Sequence, residues 1–472
     1  MSVRRPLAVL AAVAALAAWL DFSRLHQSHH ADSLVPVLAG LTAWTPFYWG
    51  QDRFGMLVPL LTLPIRSPGA HLLTHGFLVL ALSVWSLILL VRVLLPRHLA
   101  WAPPLAVLLA LLFLLAPADQ RFNILWVQPY SVSFALGLVA LGLLQRRGAL
   151  RVGAAAALFL AGAWVNIGMA VVVGPLALWR ALFVDTDRSG LARLRFAALA
   201  LGLQLLATLV SLRLSQAMPL PHTPSELLPV AVWPEGAATL LRGAWVDPAV
   251  RAWVSCALAL AALGLCSLVS ARVRAAAAPV LVAAAGLACT AYIPFAVVMA
   301  SKWVMQNGYP LRYLDPSLVL LQAACALLAT LPVLALPVRR FVLAAASVWT
   351  VALSTLIAVG PPSYRVVRDA FESRWGASAR DVIAARATHV TGNYWNVWPT
   401  VFYADWLLGT QDRRHWPYGI TDRSDATLER ALAVPRPRVA ALEGSGRWIG
   451  LLGPHAWLEV ERRPTCLVVT PR

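Results

Sequence analysis

Residues 71–95 read HLLTHGFLVLALSVWSLILLVRVLL, an apolar run in which Arg92 is the only arginine, lysine or carboxylate. A hydrophobic stretch of roughly 20 residues is long enough to cross a bilayer as an α-helix. Similar runs recur along the chain, and around Asn166 they are compatible with either one bent helix or two short ones. We predict about eleven spans, at residues 6–21, 71–95, 99–116, 129–145, 150–164, 167–183, 196–214, 251–271, 277–299, 316–336 and 341–360.

The composition of the whole chain agrees with this pattern. Of its 472 residues, 60% are hydrophobic and 13% are charged, and the mean hydropathy is +0.70. Soluble globular domains carry roughly 25% charged residues. A soluble enzyme, a disordered protein and a disulfide scaffold are therefore excluded. We predict an all-α polytopic membrane protein that ends in a small extracytoplasmic α/β module.

The charges sort into two alternating sets of loops, which predicts the orientation. Arginine-rich loops, such as residues 146–151 and 272–274, alternate with loops that contain Asp32, Asp119 or Asp247. Because arginine-rich loops stay on the cytoplasmic side, we place the N-terminus in the cytoplasm and residues after 360 outside. The net charge of +18 then belongs mainly to the cytoplasmic rim, so no nucleic acid partner is expected. The arginine excess over lysine points to a bacterial cytoplasmic (inner) membrane.

The predicted organisation has two parts. Residues 1–360 form the transmembrane domain, with a long first external loop at 21–66, and residues 361–472 form the outer module. Within the loop, Leu34–Trp44 and Phe54–Ile65 are too short to span and suit helices on the membrane surface. In the module, residues 363–390 are typical of an amphipathic helix. Short strands are predicted at residues 438–442, 448–452 and 466–469.

Two acids of the first external loop are candidate catalytic groups. Asp32 and Asp52 would lie close to the bilayer surface, where a carboxylate in a partly dehydrated cleft can act as a general base for a sugar or lipid hydroxyl. Each acid could instead cap a surface helix, since Asp is a preferred capping residue. Asp52 could also form a structural ion pair with Arg53.

Four histidines raise the alternative of a metal site. His71 and His75 are spaced i, i+4, as in helical metal sites, and His29 and His30 precede Asp32. No His-Glu-x-x-His pattern accompanies them. We therefore expect interfacial histidines and no cofactor, with metal ligation by these four residues as the alternative.

Two cations stand in a late external loop. Lys302 is the only lysine in the chain, and Arg312 follows ten residues later, with Asn307 and Tyr313 as candidate sugar or acceptor contacts. Cations beside an apolar groove suit a lipid-linked phosphate, through charge-assisted hydrogen bonds, and Arg121 could join them. Anchoring in the headgroups of membrane lipids is the alternative.

The outer module contains a dense aromatic segment at residues 392–406, GNYWNVWPTVFYADW. Tyr394, Trp395 and Trp398, interleaved with asparagines, could stack on sugar rings. They could equally form the core of the module where it meets the membrane surface.

Three of these segments together resemble the GT-C superfamily of membrane glycosyltransferases, of the protein-mannosyltransferase and aminoarabinose-transferase type. The first is His30-Ala-Asp32-Ser33, an acid in a long loop after the first span. The second is Leu311-Arg312-Tyr313-Leu-Asp315-Pro316, an external Arg-Tyr before a span. The third is the Tyr-Trp, Pro and Phe pattern of residues 394–402.

The resemblance implies an inverting transfer of a sugar from a polyprenyl-phosphate donor to a hydroxyl of a glycan, lipid or protein acceptor. It implies that Asp32 is the base, that Arg312 contacts the donor phosphate, and that Lys302 assists. Many members have an acidic pair after the first span, whereas Asp32 is followed by Ser33. Asp52 is therefore the candidate for the second carboxylate.

Other functions remain as alternatives. An outer-leaflet acyltransferase would need a catalytic histidine, such as His71 or His75. A lipid or glycan transporter would need matching halves and buried charges in the middle of its spans, which the sequence does not show. A non-catalytic membrane scaffold would use the outer module to bind a partner.

Overall fold

The computed structural model describes residues 29–49, 54–95, 101–127, 130–146, 148–218, 226–334, 363–421, 434, 437–443 and 457–471. The predicted spans 6–21 and 341–360, and Asp52, lie outside these residues. Most of the described chain is helical. The α-helices are α1 (Ala31–Leu41), α2 (Leu57–Thr62), α3 (Pro68–Leu94), α4 (Ala102–Ala110), α5 (Ala118–Phe122), α6 (Tyr130–Leu144), α7 (Ala149–Val165), α8 (Ala170–Trp179), α9 (Gly190–Gln216), α10 (Trp233–Val246), α11 (Pro248–Cys266), α12 (Ala271–Ala300), α13 (Lys302–Gln306), α14 (Asp315–Ala329), α15 (Leu331–Leu334), α16 (Tyr364–Ala384) and α17 (Tyr394–Leu408).

Several helical segments are long and apolar enough to cross a membrane, which agrees with the predicted helical membrane class but does not confirm a count of eleven. A further pair, Ala118–Val127 and Tyr130–Leu144, bends by 53° and passes the same test as one broken span. The predicted spans 99–116 and 150–164 correspond to shorter apolar helices, Pro103–Leu115 and Ala149–Val165. In the described part of the chain, the six long segments are Pro68–Leu94, Ile167–Val184, Gly190–Gln216, Pro248–Val269, Ala277–Ala300 and Leu311–Ala329.

The chain breaks at Asn166, where the sequence allowed either one bent helix or two. The backbone of Asn166 is extended, and its side-chain oxygen accepts a 2.7 Å hydrogen bond from the Gly168 amide. The asparagine thus ends α7 and caps the helical segment that begins at Ile167, a role for which its side chain is well suited.

The chain divides into two compact units. The first comprises Met1–Leu16, Ala81–Leu214 and Thr223–Gly360. In this unit α14 packs against both α11 and α12. A Cβ atom at Gly264 would overlap the carbonyl of Leu328, so α11 and α14 come together at a distance that only glycine permits.

The second unit comprises Ala17–Leu80, Ser215–His222 and Pro361–Arg472. It therefore joins the predicted first external loop to the outer module, although the sequence assigned that loop to the transmembrane domain. Helices α1 and α2 occupy parts of the two segments predicted as surface helices. Most of α1 is buried, because it packs against α17. Its apolar residues thus form protein core in this unit.

A five-stranded mixed sheet completes the second unit. The strands are β1 (His389–Thr391), β2 (Tyr418–Ile420), β3 (Val439–Leu442), β4 (Trp457–Arg462) and β5 (Cys466–Pro471), in the order β2-β1-β3-β5-β4. Strand β1 is parallel to β2 and to β3, whereas β5 is antiparallel to β3 and β4.

The α/β character predicted for the outer module is confirmed. Helix α16 lies within the predicted amphipathic segment, and β3 and β5 lie where two strands were predicted. The predicted strand 448–452 is outside the described residues. Strands β1, β2 and β4 were not predicted. Strands β1 and β2 have three residues each, too few to show a period-2 pattern, and the helix predicted over 363–390 ends at Ala384, before β1 begins.

Candidate functional site

Asp32 lies in the first turn of α1, and the neighbouring side chains fix this end of the helix. The Ser33 hydroxyl accepts a 3.2 Å hydrogen bond from the His30 amide and donates a 2.8 Å bond to the His30 carbonyl. It also lies 3.0 Å from His29 Nδ1. A polar side chain that reaches back to the first backbone amide is a common device for fixing a helix start. Ser33 thus orders the turn that presents Asp32.

The carboxylate of Asp32 is bound by a tyrosine of the outer module. Tyr394 Oη donates a hydrogen bond of 2.8 Å to Asp32 Oδ1, and Tyr48 Oη lies 2.9 Å from Tyr394 Oη. Both tyrosines are only 7% exposed, whereas Asp32 is half-buried. Among the residues that the structure describes, Tyr394 is the only hydrogen-bonding partner of the Asp32 side chain. The three groups form a short chain that ends on a partly accessible carboxylate.

Tyr394 reaches Asp32 because of how the chain leaves β1. After Thr391, Gly392 adopts a φ of +156°, which favours glycine, and Asn393 caps α17 by accepting a 2.9 Å hydrogen bond from the Trp395 amide. Tyr394 is the first residue of α17, and it follows the carboxyl end of a parallel strand. Side chains at this edge of parallel sheets commonly form ligand sites.

The three aromatic residues predicted as sugar contacts have different surroundings. Tyr394 binds Asp32, and the Trp395 ring lies edge-on to the ring of His30, with a centroid separation of 5.4 Å. Trp398 is 2% exposed and packs with Trp49. The structure therefore brings Tyr394 and Trp395 beside Asp32 and places Trp398 in the core of the unit.

The histidines proposed as metal ligands have other contacts. His71 Nε2 lies 2.9 Å from the Thr62 hydroxyl, and its Nδ1 lies 2.8 Å from the Ile65 carbonyl. His75 is buried in α3, and the His29 ring lies tilted against the Phe371 ring, with ring centroids 5.5 Å apart. In the part of the chain that the structure describes, no group of three or more His, Cys, Asp or Glu side chains is arranged to hold a metal ion.

The candidate phosphate-binding cations belong to the first unit. The Lys302 ammonium forms an ion pair with Glu226, which offsets its charge. The Arg312 guanidinium lies over the Tyr313 ring at 5.5 Å. Arg121 donates a 2.6 Å hydrogen bond to the Phe113 carbonyl, at the end of a neighbouring helix. Of these three cations, Lys302 is the one that contacts a carboxylate, so Arg312 and Arg121 keep more of the charge that an anionic ligand needs.

The remaining polar candidates of this loop bind its own backbone and rings. Asn307 donates a 2.7 Å hydrogen bond to the Trp303 carbonyl, and Trp303 Nε1 donates a 3.3 Å bond to Tyr313 Oη. Arg312 and Tyr313 thus form part of one turn with Trp303. Asn307 stabilises the end of α13.

Tyr48 is a member of the site that the sequence did not identify. It stands in the segment Trp44-Thr-Pro-Phe-Tyr48-Trp49 of the predicted first external loop. The density of aromatic residues there is like that of residues 394–406, and this likeness was the available signal. The two segments meet at the Tyr48 and Tyr394 hydroxyls.

The arrangement around Asp32 can carry out proton transfer. A carboxylate that is oriented by one tyrosine and remains partly accessible can accept a proton from a bound hydroxyl group, if that group lies within hydrogen-bonding reach.

No known family model, curated protein or solved structure matches this chain. The chemistry must therefore be inferred from the residues themselves.

Proposed function

We propose that the protein is an inverting membrane glycosyltransferase of the GT-C type, which transfers a sugar from a polyprenyl-phosphate donor to a hydroxyl acceptor. The observation that carries the proposal is the hydrogen bond from Tyr394 to Asp32. The residue that the family resemblance implies as the base is thereby held in a defined orientation. The acceptor is a glycan, a lipid or a protein with an accessible hydroxyl.

In the proposed reaction, Asp32 removes the proton from the acceptor hydroxyl as its oxygen attacks the anomeric carbon. A new carbon–oxygen bond forms on one face of the sugar, and the bond to the phosphate oxygen breaks on the other. The electron pair leaves with the polyprenyl phosphate, and the configuration at the anomeric carbon inverts. Arg312 stabilises the charge that develops on the phosphate, with Lys302 and Arg121 as supporting cations. Asp52 is the candidate second carboxylate.

The proposal includes a location and a topology. The protein would cross a bacterial inner membrane about eleven times, with its N-terminus in the cytoplasm and residues 361–472 on the outer side. The alternation of arginine-rich and acid-containing loops supports this orientation.

The test compares three carboxylate variants of the full chain. Asp32→Asn keeps the shape of the side chain and removes its basicity, so transfer should fall by about a hundredfold or more. Asp32→Glu should restore part of it. Asp369→Asn is the matched control, because Asp369 is an exposed acid of the same unit that pairs only with Arg365 among the described residues. Transfer is measured by mass analysis of surface glycans and lipids, and in membranes supplied with polyprenyl-phosphate sugars.

A histidine variant separates the remaining functions. His75→Ala should leave transfer intact, because His75 lies buried in α3 and has no role in the proposed reaction. If His75→Ala abolished a lipid modification that Asp32→Asn left unchanged, outer-leaflet acyl transfer would replace the proposal. If both variants retained all surface glycans and lipids, a non-catalytic scaffold would be favoured.

A further inference from the structure

Helix α10 is an amphipathic segment of the first unit that the proposed transfer does not use. Its 14 residues give a length of about 21 Å, too short to cross the roughly 30 Å core of a bilayer. It ends at Val246, and the long apolar segment Pro248–Val269 begins two residues later. Helix α10 therefore lies at the end of the bundle where a candidate span starts.

The same end of the bundle is where α12 finishes. Helix α10 packs against both α11 and α12. A Cβ atom at Gly236 would lie 3.3 Å from the carbonyl oxygen of Met299, one residue before the end of α12. Just before α10, the Leu228 amide donates a 2.7 Å hydrogen bond to the Ala300 carbonyl. The start of one apolar span and the end of another thus lie beside α10.

One face of α10 is covered by protein. Gly236 and Leu240, one turn apart, are buried there. The contact at Gly236 is close, since a Cβ atom at this position would lie 2.7 Å from the Tyr309 hydroxyl oxygen. Tyr309 belongs to the loop that carries Lys302 and Arg312, so the inner face of α10 supports this loop.

The outer side of α10 carries an apolar stripe, formed by Pro234, Ala238, Leu241 and Trp245. These residues are spaced i, i+4, i+7 and i+11, which places them in one row along the helix, and all four are exposed. Leu241 is 60% and Trp245 is 61% exposed. Tryptophan is enriched where a membrane protein passes from lipid to water. The apolar stripe is therefore suited to the boundary between acyl chains and headgroups.

A polar stripe lies beside the apolar stripe on the same exposed side. Glu235, Thr239 and Arg242 are spaced i, i+4 and i+7, and all three are exposed. The helix thus has three faces, one against protein, one apolar and one polar. A helix immersed in lipid would not expose the charges of Glu235 and Arg242 to acyl chains, because burying a charge in lipid is costly.

Lipid is the partner that fits these faces. The α11 span exposes Leu258 and Leu263, large apolar side chains suited to acyl chains. Asp247 alone separates α10 from α11, so the lipid around this span also reaches the end of α10.

We propose that α10 lies in the plane of the outer membrane interface, with the apolar stripe against the acyl chains and the polar stripe toward headgroups and water. The outer side follows from the proposed topology. The proposal does not depend on sugar transfer at Asp32, since it concerns contact with lipid alone. Through Tyr309, the same helix would hold the loop of Lys302 and Arg312 at the level of the headgroups.

The test labels the unaltered full chain in nanodiscs of phosphatidylcholine and phosphatidylglycerol. One carbene reagent is carried in the lipid acyl chains, a second is dissolved in water, and mass spectrometry locates each label. The ratio of the two labels at each residue cancels the reactivity of its side chain. This ratio should be about tenfold higher on Leu241 and Trp245 than on Thr239 and Arg242. Buried Leu240 gives the background for both reagents.

Two matched variants give an independent measurement. Leu241→Asp places a charge in the apolar stripe, and Thr239→Asp places the same charge in the polar stripe, both at exposed positions. In nanodiscs, Leu241→Asp should lower the melting temperature by several degrees, because a carboxylate among acyl chains loses its hydration. Thr239→Asp should leave the melting temperature nearly unchanged.

One pattern of results supports the proposal, and the others overturn it. Preferential acyl-chain labelling of the apolar stripe, with destabilisation by Leu241→Asp alone, supports it. Water-borne labelling of both stripes would show that α10 faces solvent, and acyl-chain labelling of both would show a helix immersed in lipid. Protection of the apolar stripe from both reagents would show that a second copy or another protein covers it. Each of these three outcomes, or equal destabilisation by the two variants, would overturn the proposal.

Discussion

Tyr394 donates a 2.8 Å hydrogen bond to Asp32 across a sequence separation of 362 residues. The bond joins the first turn of α1 to the first turn of α17. The α1 C-terminus is held as well, since Arg413 donates a 2.6 Å bond to the Leu41 carbonyl. The proposed base is therefore positioned by residues distant in sequence, and its orientation depends on the folding of the outer module.

The first prediction concerns Tyr394 as a positioning residue. Tyr394→Phe removes the donor and keeps the ring, so Asp32 loses its orienting hydrogen bond. We expect the turnover rate of sugar transfer to fall by about tenfold with little change in KM, because misplacement of a catalytic group slows the chemical step. Tyr48→Phe should have a smaller effect, since Tyr48 acts on Asp32 through Tyr394.

The control for this series is Tyr418→Phe, which changes an exposed tyrosine of β2. It should leave transfer kinetics unchanged. A rise in KM alone in Tyr394→Phe would assign Tyr394 to substrate binding, contrary to the prediction. Equal loss in all three variants would show a general effect on the unit.

The second prediction tests the packing of the membrane helices. A Cβ at Gly264 would overlap the Leu328 carbonyl, whereas a Cβ at Gly202 on α9 would meet nothing within 4 Å. Gly264→Ala should destabilise the first unit by about 1–3 kcal/mol, the usual result of overpacking. Gly202→Ala should be neutral or stabilising by up to about 1 kcal/mol, because alanine favours helices.

The measurement is the apparent melting temperature of each variant in the same detergent. Gly264→Ala should melt below the unaltered protein and Gly202→Ala at or above it. Similar melting of both alanine variants would contradict the close contact between α11 and α14.

The sequence predicted those parts of the fold that depend on local pattern. Long apolar runs such as residues 71–95 can be recognised in the sequence because the side chains of a membrane-spanning segment face lipid. Such a segment is predicted to be helical because it must satisfy its own backbone hydrogen bonds. The break at Asn166 was left open because both solutions share the same apolar pattern. Strands β1 and β2 were missed because they are held by neighbouring strands, and their own residues show no periodicity.

The candidate site was only partly predictable for a similar reason. Asp32, Tyr394 and Trp395 were each identified from local composition, but nothing local indicates that α1 packs against α17. The partner of Lys302 could not be predicted from local sequence either. As the only lysine of the chain, Lys302 suggested an anion site. Its neutralising partner, Glu226, lies 76 residues earlier in the chain. Pairings over such separations depend on tertiary structure.

The third prediction concerns Asp405, whose side chain is 0% exposed in α17. Burial raises the pKa of this carboxyl well above its ordinary value, while Arg413 acts in the opposite direction. Between its unfolded and its folded pKa, the acid is protonated in the folded state and ionised in the unfolded state. It stabilises the fold fully below the unfolded pKa, and this stabilisation is lost as pH rises toward the folded pKa.

Asp405→Asn removes this titration. Relative to Asp405→Asn, the melting temperature of the unaltered protein should fall as pH rises above the unfolded pKa of an aspartate, about 3.9. Asp412→Asn, at an exposed acid nearby, should follow the unaltered protein. An equal fall in all three proteins would show that Asp405 is not the group responsible.

The last prediction concerns His389 in β1, which is 1% exposed, with Nδ1 lying 2.9 Å from the Thr388 hydroxyl. Burial lowers its pKa from 6.5 to about 4. The unfolded chain therefore binds more protons than the folded chain between these values, so stability rises with pH across this window and is lost in acid, by about 3 kcal/mol.

His389→Gln should flatten the fall in melting temperature between pH 6.5 and pH 4. His415→Gln, at an exposed histidine of the same unit, should retain it. If His389→Gln melted with the same pH dependence as the unaltered protein, protonation of His389 would not be what destabilises the second unit in acid.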